Sequence, residues 1–172
     1  MRANKLSCCV AFLALVSTAS PAQSKPADKQ AWVTFYAEQA RIRQRGTEAL
    51  ERERSRSTAE HCTKAESQGG KAIADCLEGE NRASEQDYVV YAQAISALLR
   101  LQAPGAGGAT AADGNAFDAA EVTWRKYRDQ SCESVSRQWV DVQSSISFQD
   151  CRLKLTRNHI SELALLYSDL WH

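Results

Sequence analysis

Apolar residues recur along this chain in steps of three and four, the mark of helices with one buried face. Trp32, Phe35, Tyr36, Ile42, Ala49 and Leu50 follow that spacing, broken at Gln39, and place a helix from Lys29, behind a possible cap at Asp28, to about Arg56. Gln68-Gly69-Gly70 then breaks the chain. Ile73, Cys76, Leu77, Ala83, Tyr88, Tyr91, Ala94, Ile95, Leu98 and Leu101 predict one long helix from about Lys71 to Gln102, with Gly79 as its weak point. Pro104-Gly105-Ala106-Gly107-Gly108 ends that helix and opens a loop expected to run to about Asn115. A further helix carries Phe117, Ala120, Trp124, Tyr127, Arg128 and Val135. The Ser-rich, alternating stretch from Gln138 to Phe148 reads as a second loop. Asp150 is placed as the cap of a last helix bearing Leu153, Leu155, Ile160, Leu163, Leu166, Tyr167 and Leu170. Pro21, Pro26 and Pro104 all fall outside these helices, and no hairpin pattern stands out. The expected fold is all-α, an antiparallel helical bundle of about four to five helices.

The amino-terminus changes the picture of where such a bundle works. Arg2 and Lys5 precede an apolar run of 9 residues, Cys8 to Val16, and Ser20-Pro21-Ala22 supplies small residues at cleavage spacing. Residues 1–22 therefore read as a secretory signal peptide, too short to span a bilayer. Cys8 and Cys9 come too early for a lipoprotein signal, so no membrane anchor is expected. The mature chain would be Gln23 to His172, a single domain by size, located in the periplasm or secreted.

Export gives the cysteines a meaning. Cys62, Cys76, Cys132 and Cys151 remain after cleavage, and an even number in an exported chain argues for two disulfides. Three pairings are open at this point. Pairing of chain neighbours closes the shortest loops, each such bond contributing roughly 3 kcal/mol through the unfolded state. Zinc is disfavoured: there is no C-x-x-C spacing, and His61, His159 and His172 form no helical ligand pair. No metal and no cofactor are expected.

Charge is uneven. Arg41 to Arg56 holds 6 Arg against 3 Glu, whereas from Ser57 onward 11 basic residues face 16 acidic ones, a net charge of −5. An exposed helix face with Glu/Arg pairs one turn apart explains the basic run better than nucleic acid does. Asp75, Glu78 and Glu85 share helix spacing that would suit an acid–base pair, but surface acids do so routinely. No nucleophile elbow or phosphate loop occurs. The chain is read as a non-enzyme. His159, in an apolar stripe, is expected to bond a neighbouring helix, and Tyr88 and Tyr91 to lie in the core.

The stretch Trp124-x-x-Tyr127-Arg128-Asp129-x-x-Cys132, followed by Cys151-x-x-x-x-Thr156 and Glu162-Leu163, resembles the lysozyme-inhibitor LprI-like N-terminal domain family of small exported bacterial helical domains. Cys62, Cys76-Leu77, Ala83 and Tyr91 fit the same family's spacing, so the likeness covers roughly His61 to Leu170. It departs where Ser84 replaces an acid, Asp87-Tyr88 replaces Leu-Asn, and His159 stands where the family usually has Arg. The missing acid and Arg are taken as former partners. To the signal peptide over 1–22 and the basic amphipathic helix over 23–60, the resemblance adds a family domain over 61–172. It also implies Cys62–Cys76 and Cys132–Cys151 pairing. Trp124 and Tyr127 would pack between helices, Arg128 and Asp129 would tie neighbouring helices, and Thr156 and Tyr91 would be structural.

The function implied is protein binding, with a lysozyme or other peptidoglycan hydrolase as partner and the Pro104–Asn115 or Gln138–Phe148 loop as the occluding element. A structural or stress-related envelope domain with no hydrolase target is the alternative, and a cell-wall glycan enzyme a more distant one. Neither a nucleic-acid partner nor contact residues are indicated.

Overall fold

The computed structural model describes residues 29–58, 62–106 and 111–172. The signal peptide, Asp28 and His61 lie outside them. Among the described residues there is no strand. The elements in chain order are α1 (Lys29–Ser57), the single turn α2 (Thr63–Glu66), α3 (Gly70–Arg100), α4 (Ala111–Ser136), α5 (Asp141–Leu166) and a terminal 3-10 turn, Ser168–Trp171.

The long helix α3 is the spine. Its buried residues include Ala74, Tyr88, Tyr91, Ala94, Ile95 and Leu98, the apolar stripe its sequence predicts. Gly79 does not interrupt it. The helix starts after Gly69, whose φ of 97° suits glycine and turns the chain out of α2. Cross-links between helices fix their directions. Glu85, Tyr88 and Arg100 of α3 meet Arg128, Glu121 and Asp118 of α4 respectively, so these two helices run antiparallel. On α5, Thr156 joins Arg128 and His159 joins Glu121, so α5 runs alongside α3 in the same sense. On α1, Arg56 and Arg52 reach Asp87, while Ile42 packs with Ala94 and Leu98, giving a second antiparallel neighbour of α3. The result is a down-up-down-up bundle.

Both disulfides lie toward one end of this bundle. Cys62–Cys76 joins α2 to α3, and Cys132–Cys151 joins α4 to α5. The pairing is the one implied by the family likeness. The main core gathers Ala49, Tyr88, Tyr91, Ile95, Phe117, Ile160 and Leu163 from all four long helices. Toward the other end the carboxyl-terminal turn closes over it: Trp171 stacks on Tyr91 with ring centroids 5.2 Å apart, and Arg43 of α1 donates to the carbonyls of Leu170 and His172.

Two expected loops turn out shorter. The loop expected over Gln138 to Phe148 is mostly helix, because α5 begins at Asp141. Its alternating apolar residues are explained by packing at the α3 amino-terminus, where Val142 and Ile146 lie over Gly70. Asp150 is therefore an interior helical residue, paired with Lys154 at 2.7 Å, and the helix cap is Val140. The loop expected to reach Asn115 ends by Ala111, and Asn115 sits on α4, accepting from Arg100 at 3.0 Å.

At Gly46 α1 comes close to its neighbours. A β-carbon there would fall inside contact distance of the Trp171 ring and 2.9 Å from the Ala94 β-carbon. Gly46→Ala is expected to lower stability by about 1–3 kcal/mol, as overpacking does. Urea unfolding followed by tryptophan fluorescence measures this, and Trp171→Leu in the same chain should recover part of the loss.

Candidate functional site

Within the 123–132 stretch, Trp124, Arg128 and Cys132 take the side of α4 that faces α3 and α5. Arg128 is the centre of it. Its side chain is 2% exposed, yet it carries a full charge. Three helices share the cost of burying it. Glu85 of α3 and the neighbouring Asp129 accept from the guanidinium, the latter at 3.0 Å, and Thr156 of α5 accepts through its hydroxyl at 3.0 Å. Arg152 of α5 bridges the same two acids, 3.3 Å from Asp129 and 3.7 Å from Glu85. Burial alone would lower the Arg128 pKa, but the hydrogen bonds and charges of Glu85 and Asp129 outweigh it and hold it above the ordinary value. The Trp124 ring faces the guanidinium at 5.1 Å, adding a cation–π contact.

One turn along, Trp124 stacks on His159 with centroids 3.8 Å apart and planes 11° from parallel. The other edge of that imidazole meets Glu121, whose two carboxylate oxygens lie 3.0 and 3.1 Å from Nε2. The Tyr88 hydroxyl donates to Glu121 at 2.7 Å. Burial, then the hydrogen bond and charge of Glu121, push the Tyr88 phenol far above its ordinary range, so it stays a donor. Ser84, expected to mark a lost acid partner of the His159 position, is fully buried with no hydrogen-bond partner. His159 has instead found Glu121. Tyr91 lies away from this cluster, in the core against Trp171.

Tyr127 does not pack between helices as the family likeness suggested. It is 60% exposed, because Trp124, three residues before it, and Arg128, one residue after it, take the buried face. It borders a shallow depression over the Cys132–Cys151 bond, with Ser131, Val135 and Leu155.

The 123–132 helix delivers the chain into the tight turn between α4 and α5. Cys132, fully buried, anchors one side of that turn and Cys151 the other. Within the turn Trp139 is 51% exposed, Val140 77% and Val142 42%. Asp141 holds a φ of 52°, a left-handed conformation that an aspartate tolerates and a β-branched residue does not. Ser144 of α5 reaches back to the Ser136 carbonyl at 3.1 Å, closing the α4 end. The turn therefore presents an apolar tip on a braced support.

Lys71 engages Asp75, Arg82 engages Glu78, and Glu85 belongs to Arg128, so the acids once considered as a pair are tied elsewhere. Among the described residues, no group of three or more His, Cys, Asp or Glu is placed to hold a metal ion. No described helix is long and apolar enough to cross a membrane. Residues the sequence reading passed over, Glu121 and Arg152 above all, complete the polar cluster. Glu121 was accessible in principle, since Glu121, Trp124 and Arg128 share one helix face at i, i+3 and i+7.

Replacing Arg128 by Met should cost about 2–4 kcal/mol. It strands the Thr156 hydroxyl, but the two acids it leaves are half-solvated, which keeps the penalty below that of a fully buried orphan charge. Glu85→Gln should cost less, because Arg128 keeps Asp129. Urea unfolding of the oxidised protein ranks the two, and an equal or reversed order would mean that Glu85 carries the network.

Comparison with known proteins adds one finding. No curated protein and no solved structure matches the chain. The family profile described as lysozyme inhibitor LprI matches residues 62–163, which takes in both disulfides, the Arg128 cluster and the α4–α5 turn and leaves α1 outside. With that match extending over more than half of its length, the chain belongs to the lysozyme inhibitor LprI family.

Proposed function

We propose that this protein is exported and inhibits a lysozyme-type peptidoglycan hydrolase, with the Trp139–Val142 turn as the element that enters the enzyme's substrate cleft. Family membership supports the class of function. The observation that carries the choice of element is the exposure of Trp139, Val140 and Val142 on a turn closed by a disulfide. Large apolar side chains held rigid in solvent lose little entropy on docking, which is how preorganised inhibitors gain affinity. A cleft shaped for a sugar chain offers flat apolar surfaces on which an indole can stack. The other stretch considered for this role, Pro104–Asn115, is in its last five residues part of α4 and carries no exposed large apolar side chain among its described residues.

Charge supplies a second support. The chain from Ser57 onward has a net charge of −5, which favours encounter with a cationic hydrolase and makes the rate of association depend on salt. Titrating several lysozyme types with the oxidised protein is the direct test. The expected result is stoichiometric inhibition of at least one, weakened by added salt. Trp139→Ser with Val140→Ser should raise the inhibition constant by about 10-fold or more at unchanged thermal stability, since an interface centre concentrates its energy in such residues. Absence of inhibition at micromolar excess over every type would defeat the proposal, and full inhibition by the double variant would move the contact elsewhere.

A further inference from the structure

α1 outruns the bundle that it packs on. Ile42 sits against Ala94, Leu98 and the end of α3, and no residue of α1 before Ile42 is buried. The stretch from Lys29 to Glu38 therefore continues past the last turn of α3 for about 14 Å. It is not a polar stretch. Trp32, Phe35 and Tyr36 rest on one another with ring centroids 5.3–5.7 Å apart, and Val33 and Tyr36 are 53% and 58% exposed.

Beside the root of this projection lies a groove of about 700 Å³. α1 and α4 form its walls and α3 its floor, because α1 and α4 both flank α3 and each packs chiefly on it at this level. Ile42, Val89, Ala92, Ala97, Phe117 and Val122 give it its apolar lining, with Arg100 and Arg125 among the polar residues beside them, and Val122 is 58% exposed. Its acids are engaged: Glu38 by Arg41, Asp118 by Arg100, and Glu121 by Tyr88 and His159. Along α3 it runs from Tyr88 to Arg100, about 18 Å. It is open, apolar and long enough for three turns of helix.

We propose that the protein forms a two-fold dimer in which the projecting start of α1 from each copy lies in the groove of the other. The geometry is what a two-fold requires: one surface carries both the projection and the groove, and they adjoin at Glu38 and Ile42. Inverting a second copy end to end brings its projection back alongside the first copy's α1, over α3. The area is of the right order. Three aromatic side chains per copy, at about 150–250 Å² each when fully covered, supply about 900–1,500 Å² as an upper bound, and the groove walls add to it. A specific interface needs about 1,200–2,000 Å² in all. Because α1 lies outside the family match, the dimer would be a property of this chain rather than of the family domain.

Analytical ultracentrifugation of the protein purified after export, with both disulfides formed, tests this. At about 50 µM the mass should be twice that of the monomer. Val33→Glu with Tyr36→Glu alters only exposed positions, and Val122→Arg alters only the groove. Each should give a monomer with unchanged helical circular dichroism and thermal stability. Mixing the two variants should restore part of the dimer, since one of its two docking pairs is then intact on both sides. A monomeric wild-type protein up to about 200 µM overturns the proposal, as does a dimer that survives both variants. A monomer whose hydrolase inhibition is lost on Val122→Arg also overturns it, and would assign the groove to the enzyme. The mass measurement involves no hydrolase, so its outcome is independent of the inhibitory function.

Discussion

The fold depends on a buried positive charge. A guanidinium taken out of water at the Arg128 position must be met by acceptors from every side, and its partners come from α3, α4 and α5. Apolar helix faces can slide by a turn and still bury similar area. A charge with three directional partners cannot. The Arg128 cluster therefore selects one register of α4 and α5 against α3, and the Cys132–Cys151 bond one turn further along makes that register covalent.

The same device recurs where α1 meets the bundle. Glu53, only 4% exposed at its side chain, accepts from Arg56 on its own helix and from Arg157 of α5, each at 2.8 Å. Arg157 goes on to Glu80 at 3.0 Å, and Arg52 and Arg56 both bind Asp87 of α3. Six charged groups thus replace the apolar contacts that the polar second half of α1 cannot make. The basic run of α1, read from sequence as a solvated face, is solvated only in part: Arg52 and Arg56 are its anchors to α3. Asp87 explains why. It occupies a position where the family usually carries an apolar residue, and a buried carboxylate there gives the arginines something to hold.

How much of this could be read in the residues follows from the range of the forces involved. Local periodicity placed α1 and α3 within a residue or two, because one buried stripe per helix is a local property. The 138–148 stretch failed for the converse reason. Val142 and Ile146 alternate with serines, and only the distant Gly70, an α3 residue with room above it, makes that pattern helical. Tyr127 failed because motif membership says nothing about which side of a helix faces the core. The polar cluster was half legible. Trp124, Arg128 and Thr156 stood out through the family motif, whereas Glu85, noticed only as a surface acid, and Glu121 and Arg152 are ordinary charged helix residues until the tertiary fold brings them together.

The division between buried and exposed groups on α4 bears on how such a domain can evolve a target. Residues facing α3 and α5 are locked by charge and by a disulfide, so a change there costs the fold. The turn that follows is locked only at its ends. Trp139 and Val140 make few demands on the core, Val142 only its contact with Gly70, and Asp141 needs only to tolerate its left-handed backbone. A scaffold whose stability resides in a polar cluster on one side of the disulfide is free to vary the tip on the other. On the proposed reading the family motif and the contact surface are different residues of one rigid unit: the motif holds the turn in place, and the turn meets the target.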